Sequence, residues 1–201
     1  MRKPELRSKS KEKLLDAAEE LMLIKGFAAT SVDEICREAK LTKGSFFHYF
    51  ENKEHLGKAV LERFCSSSRQ KMQEECCPKE GDPLKRVYNY ADFAIKMAKD
   101  PKLNKGCLIG KLAQELSDTY PQIRSLCANG FNEWAKMLKK DLKEAKNKYA
   151  PKASFEVESL AEHFIAILEG SQVLAKAKRD NRIVERNMQH FKQYLKNLFK
   201  R

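Results

Sequence analysis

The chain has 201 residues, enough to bury a core without disulfides or a structural metal and short enough for one or two domains. Forty lysines and arginines against twenty-eight acidic residues leave a net charge of +12, which points to a polyanionic partner such as nucleic acid or an acidic membrane. Nothing approaches the ~18 consecutive apolar residues of a membrane span, and the charged stretch from Arg2 to Lys13 has no apolar signal region, so the chain reads as cytoplasmic with no membrane partner.

Six prolines, eight glycines and apolar residues at helical spacing predict an all-α protein. The first helix is expected from about Ser10 to Lys25, with Leu14, Ala18, Leu21 and Met22 on one face and Gly26 as its C-terminal cap. Ser31-Val32-Asp33-Glu34 reads as a capping box opening a short second helix with Val32, Ile35, Cys36 and Ala39 inward. After a tight turn at Leu41, Thr42 caps a third helix from Lys43 to about Phe50. A longer fourth helix follows Asn52 and carries Leu56, Val60 and Phe64 towards a break at Cys76-Cys77-Pro78. Asp82-Pro83 is an N-cap with proline at the first helical position, and Asp100-Pro101 stops that helix. A shorter helix follows Gly106, Pro121 opens a long one, and Tyr149-Ala150-Pro151 breaks it. The last two helices carry Leu160, Phe164, Ile167, Leu168 and Ser171, then, after an Asp180 cap, Val184, Met188, Phe191, Leu195, Leu198 and Phe199.

The third helix has two faces. At about 100° per residue, Phe46 and Phe50 fall together and belong to the core, while Gly44, Ser45 and His48 point the opposite way with Lys43 and Tyr49 on the flanks. Two short helices joined by a tight turn, the second small and polar on its exposed N-terminal face, form a helix-turn-helix whose second helix fits a major groove. Gly44 permits close backbone approach, Lys43 can donate to guanine, and Ser45, His48, Tyr49 and Lys53 are placed for phosphates. The run "LLDAAEELMLIKGFAATSVDEICREAKLTKGSFFHYFENKEHL" closely resembles the first three helices and the start of the fourth in the tetracycline-repressor (TetR) family of bacterial transcription regulators. That resemblance implies that Thr42, Lys43, Gly44, Ser45, Phe47, His48 and Tyr49 face DNA and that Lys53 sits on a phosphate. Phe47 stands where family members usually carry a tyrosine, so the phosphate contact of that hydroxyl is missing here.

The resemblance implies a helix-turn-helix domain over residues 1–54 with a basic arm, joined by the long fourth helix to an all-helical dimerisation and effector domain over 55–201. Residues 1–60 hold a net charge of only +2, so most of the positive balance lies outside the DNA-binding module. The arm from Arg2 to Lys13 can lie along phosphates, enter the minor groove, or serve as a solvated tail. "GCLIGKLAQELSD" and "LEGSQVLAKAKRD" look like segments common in one branch of the family. The apolar stripes of the last two helices need a partner surface, and Leu160, Ile167, Leu168, Ser171, Val184, Met188, Phe191 and Leu195 are expected to pair with the same residues of a second subunit, matching a palindromic operator on double-stranded DNA.

A small apolar effector would sit among Tyr88, Phe93, Phe131, Trp134 and Phe164. Cys107, after Gly106 at a helix start with Lys105 and Lys111 nearby, is the candidate for release by thiol modification, with Cys76, Cys77 or Cys127 as possible resolving thiols. No phosphate loop, zinc-protease motif or nucleophile elbow occurs, and the cysteine spacings match no zinc pattern, so neither an enzyme, a metal nor a cofactor is expected. The competing reading is an all-helical adaptor that binds a protein through the same exposed helix, which would lack salt-dependent DNA affinity.

Overall fold

A computed structural model of the chain describes residues 3–76, 81–101 and 103–200, with residues 3–8 given by their backbone. Among the described residues there are nine helices and no strand: α1 (Lys3–Lys25), α2 (Val32–Ala39), α3 (Lys43–Tyr49), α4 (Lys53–Cys76), α5 (Pro83–Lys99), α6 (Leu108–Leu116), α7 (Pro121–Tyr149), α8 (Val157–Lys178) and α9 (Arg182–Phe199). None of these helices is long and apolar enough to cross a membrane.

Local chemistry sets most of the boundaries. Gly26 takes φ +88° after α1, where a side chain would be strained. Ser31 and Glu34 form the reciprocal capping box of α2, and Asp82 accepts the backbone N–H of Leu84 and Lys85 at the start of α5 with Pro83 at the first position. α1 begins at Lys3 rather than near Ser10. The stretch before Leu14 lacks apolar periodicity but is rich in the helix formers lysine, arginine and glutamate, and proline is tolerated in a first turn, so propensity carries the helix where the pattern is silent. Asn181 rather than Asp180 occupies the N-cap position of α9, yet Asp180 Oδ1 still accepts the Arg182 N–H at 3.1 Å, so the aspartate does the capping from one residue further out. Cys77 and Pro78, expected in the break after α4, lie outside the described residues.

The chain forms two compact units, one of residues 1–66 with 107–128 and one of residues 67–106 with 129–201. The first buries Leu14, Ala18 and Met22 of α1, Ile35 of α2, Phe46 and Phe50, Leu56 and Val60 of α4, and Leu108, Leu112 and Ile123. Arg63 of α4 ties this unit to α1, reaching Glu12 at 3.1 Å, Asp16 at 2.7 Å and Glu19 at 2.9 Å.

The second unit is a core of α5, α8 and α9 with the adjoining parts of α4 and α7. Here the structure corrects the sequence reading. Leu160, Leu168, Val184, Met188, Phe191 and Leu195, expected at a subunit interface, are buried in this unit's own core, where α9 packs on α5 and α8. Ser171 is buried too, donating to the Ile167 carbonyl and accepting from Asn187. Only Ile167 of the set is left half-exposed. A 3.6-residue stripe reports that a face is covered, and α5 covers it before any second chain is needed. Half-buried Arg86 and buried Asp141 form an ion pair in the same unit at 2.7 Å, with the Tyr90 hydroxyl on the other carboxylate oxygen at 3.3 Å.

Candidate nucleic-acid interface

The turn between α2 and α3 is built from three residues. Lys40 adopts the left-handed conformation with φ 55°, so its N–H reaches the Arg37 carbonyl while Leu41 N–H reaches Cys36 O at 2.9 Å, closing α2. Thr42 then turns extended and its Oγ1 accepts the Ser45 N–H at 3.2 Å, capping α3. Phe46 is fully buried and Phe50 nearly so, their rings 5.8 Å apart, which anchors α3 by its inner face.

The outer face follows from that anchoring. Thr42, Lys43, Gly44, Phe47 and His48 are exposed, and Ser45 and Tyr49 are half-buried at the flanks. Phe47 is 58% exposed, a large ring in water held edge-on to Phe46 at 5.1 Å. His48 lies edge-on to Tyr49 at 4.7 Å. Lys43 Nζ stands 2.7 Å from Asp33 Oδ1, and that hydrogen bond raises the lysine pKa above its ordinary value. The pair is solvent-exposed, so a phosphate or a guanine edge can take the place of Asp33 at little cost.

Lys53 differs from its sequence-based role. It was expected on a phosphate, but its ammonium donates to the carbonyls of Phe27 and Thr30, both at 2.9 Å, and of Ala28 at 3.4 Å. It also lies 4.4 Å from the centre of the Phe27 ring, and burial lowers its pKa against the pull of Glu115. Lys53 therefore shapes the turn before α2. Beside it, Asn52 Oδ1 accepts the His55 N–H at 2.8 Å and caps α4. Of the basic arm, Lys9, Lys11 and Lys13 are exposed on α1 and Lys11 Nζ lies 5.9 Å from the Phe50 ring centre, while Arg2 lies outside the described residues.

The expected effector residues do not converge in the same way. Phe164 is buried in the second unit's core against Phe191 at 5.3 Å, and Tyr88, Phe93 and Trp134 pack half-buried on that core. Phe131 is half-buried on α7. None of these five lines the open depression of about 460 Å³ on α8 and α9, which is bordered by His163, Ile167, Gly170, Leu174, His190 and Tyr194. Leu174 and Tyr194 there, and Val173 beside them, are each nearly half exposed. The sequence signal for this face was the spacing 163, 166, 167, 170, 174, overshadowed by the larger residues of the core stripe. Cys107 occupies the N-cap of α6, is buried, and belongs to the first unit, whereas the aromatic set belongs to the second. Burial pushes the Cys127 thiol up to about 11, with Cys65 adding to the effect.

A short helix, a tight turn and a second, capped helix with an exposed outer face form the helix-turn-helix arrangement of DNA-binding transcription regulators. Residues 14–60 match the family model for bacterial regulatory proteins of the tetR family, and residues 83–191 match the tetracyclin repressor-like C-terminal domain. The chain belongs to the TetR family, whose regulators bind DNA and usually act as homodimers. It is similar to the HTH-type transcriptional repressor NemR of Escherichia coli K12, at 28% identity over 183 residues, 91% of this chain and 92% of that protein. It is also similar to the HTH-type transcriptional repressor DhaR of Mycobacterium sp. strain GP1, at 26% identity over 193 residues, 96% of this chain and 92% of that one. The crystal structure of E. coli NemR in its reduced form superimposes with a TM-score of 0.81 at 29% identity, covering 92% of this chain and 95% of that chain.

Proposed function

We propose that the chain is a homodimeric repressor that binds a palindromic operator and leaves it when a small apolar ligand binds or when Cys107 is modified. The observation that carries this reading is the outward face of α3. There Lys43 donates to a guanine, Phe47 packs on a thymine methyl, and Gly44 lets the backbone approach the groove. Thr42, Ser45, His48 and Tyr49 hold the flanking phosphates. Phe47 thus replaces a phosphate contact with an apolar base contact.

The exposed apolar residues Val173, Leu174 and Tyr194 of α8 and α9, with half-exposed Ile167, around Gly170, support self-association through that face, which a two-fold axis would bury isologously. Two copies of α3 one helical turn of DNA apart, ~34 Å, would then meet the two halves of a palindrome. Repression is supported by NemR and DhaR, both HTH-type transcriptional repressors. Cys107 is favoured over Cys127 for thiol chemistry because it stands at the N-cap of α6, whereas Cys127 is the more deeply buried of the two and burial pushes its thiol up to about 11.

The test is a salt titration of binding to the DNA upstream of the chain's own gene, with and without a mild thiol electrophile, for the wild-type protein and Cys107→Ser. Steep salt dependence, release by the reagent and loss of that release in Cys107→Ser are expected. Binding that ignores the reagent would remove the thiol arm and leave the ligand arm. No binding at all would favour a protein-binding adaptor.

A further inference from the structure

The turn from Gly26 to Thr30, which delivers the chain from α1 into α2, is held by groups distant in sequence. Glu115, in the last turn of α6, accepts the backbone N–H of Phe27 at 2.8 Å and of Ala28 at 2.6 Å, one on each carboxylate oxygen. Lys53 takes the carbonyls of Phe27, Ala28 and Thr30 from the other side. The Phe27 ring is buried, edge-on to Tyr120 at 5.7 Å. Thr30 Oγ1 donates to the Gly26 carbonyl at 2.7 Å and closes the turn on itself. A Cβ on residue 26 would stand 2.7 Å from Glu115 Oε2, so glycine there also makes room for the carboxylate.

The two N–H groups that Glu115 accepts belong to neither helix, since α1 ends at Lys25 and α2 begins at Val32. A carboxylate satisfies both at once through charge-assisted bonds, roughly twice as strong as neutral ones. The residue after the turn is Ser31, the N-cap of α2, and Lys53 opens α4 three residues after the C-cap of α3. The turn, α2, α3 and the start of α4 therefore form a closed circuit whose backbone is gripped at one point by Glu115.

We propose that Glu115 is a positioning residue for DNA recognition: by holding the turn at residues 26–30 it sets where α2 starts and so how α3 is presented. Residues 107–128 are then part of the DNA-reading module although they lie far along the chain from it. This inference rests on DNA binding through α3 and on nothing about the effector.

The test compares full-length wild type, Glu115→Gln and Glu115→Ala on a duplex selected by the wild-type chain from a random-sequence pool, and on a scrambled duplex, at a temperature where all retain wild-type circular dichroism. Amide hydrogen exchange at Phe27 and Ala28 is followed in parallel. In Glu115→Ala both amides should exchange at least tenfold faster, and the selected duplex should bind at least fivefold more weakly, with Glu115→Gln in between because it keeps one acceptor. Removing a negative charge strengthens non-specific DNA binding, so affinity for the scrambled duplex should hold or rise. A selected-duplex affinity within twofold of wild type would overturn the proposal, even with faster exchange. Equal weakening on both duplexes would overturn it too. Glu115→Gln alone decides the matter if the alanine variant fails to fold. A wild-type chain that selects no duplex would sink the DNA reading itself, before any variant is compared.

Discussion

Replacing Gly57 by alanine sets two effects of known sign against each other. Gly57 lies within α4, where alanine is favoured over glycine by about 0.8–1.0 kcal/mol, so in open space the change would stabilise the chain. The added Cβ, however, would stand 2.8 Å from Phe27 Cε2 and 3.3 Å from Cδ2. Carbon atoms pack best at about 3.5–4.0 Å, so the ring must retreat. Its exits are closed: Phe27 is buried, Tyr120 is edge-on to it, and the Lys53 ammonium lies 4.4 Å from its centre. Overpacking of this kind costs about 1–3 kcal/mol, so the steric effect should win by up to about 2 kcal/mol. Because the chain has two compact units, the assay is native-state hydrogen exchange at Leu14 and Val60, both buried in the first unit, with DNA affinity measured alongside. A gain of about 1 kcal/mol with unchanged affinity, the value of helix propensity alone, would mean that the Phe27 ring moves aside freely and is not held by its neighbours.

Gly44→Ala should leave stability unchanged or slightly raised, because its Cβ would meet only Thr42 Oγ1 at 3.7 Å, yet weaken binding to a selected duplex at least tenfold; wild-type affinity by fluorescence anisotropy would show that the α3 backbone does not approach the groove. Gly170→Ala has no neighbour within 4 Å in its own chain, so α8 should gain up to about 1 kcal/mol while the dimer weakens, and sedimentation equilibrium showing a tighter dimer would remove this face from the interface. The Glu34 carboxyl is held down to about 2 from 4.5, first by the Lys25 hydrogen bond and then by the Ser31 N–H. Its folded pKa is the lower one, so its contribution is complete above pH 4.5 and is lost as pH falls towards 2. Glu34→Gln should flatten that part of the Tm-against-pH profile, and a profile with wild-type slope would show that the carboxylate is not engaged.

Signals within a few residues of one another were enough to read the helices and the recognition face. The Ser31–Glu34 capping box, the Thr42 cap, Asp82-Pro83 and Gly26 act over one helical turn, and their chemistry does not depend on what packs behind them. The aromatic spacing likewise decided that Phe46 and Phe50 go inward, leaving Lys43, Gly44, Phe47 and His48 outward.

Only the tertiary structure decided what covers each face and which distant groups meet. The stripe from Leu160 to Leu195 says that a surface must be buried, and the identity of the partner, α5 for α9, is not encoded in its spacing. Lys53 looked like a phosphate ligand because it follows the recognition helix, yet three carbonyls of a turn more than twenty residues earlier surround it. Glu115 gave no local sign at all: its acceptor role exists only because folding brings the end of α6 within 2.8 Å of amides 87 and 88 residues away. Caps and periodicity are local terms in the free energy, whereas pairing between remote segments depends on the whole packed arrangement, and that is where sequence reading ends and structure begins.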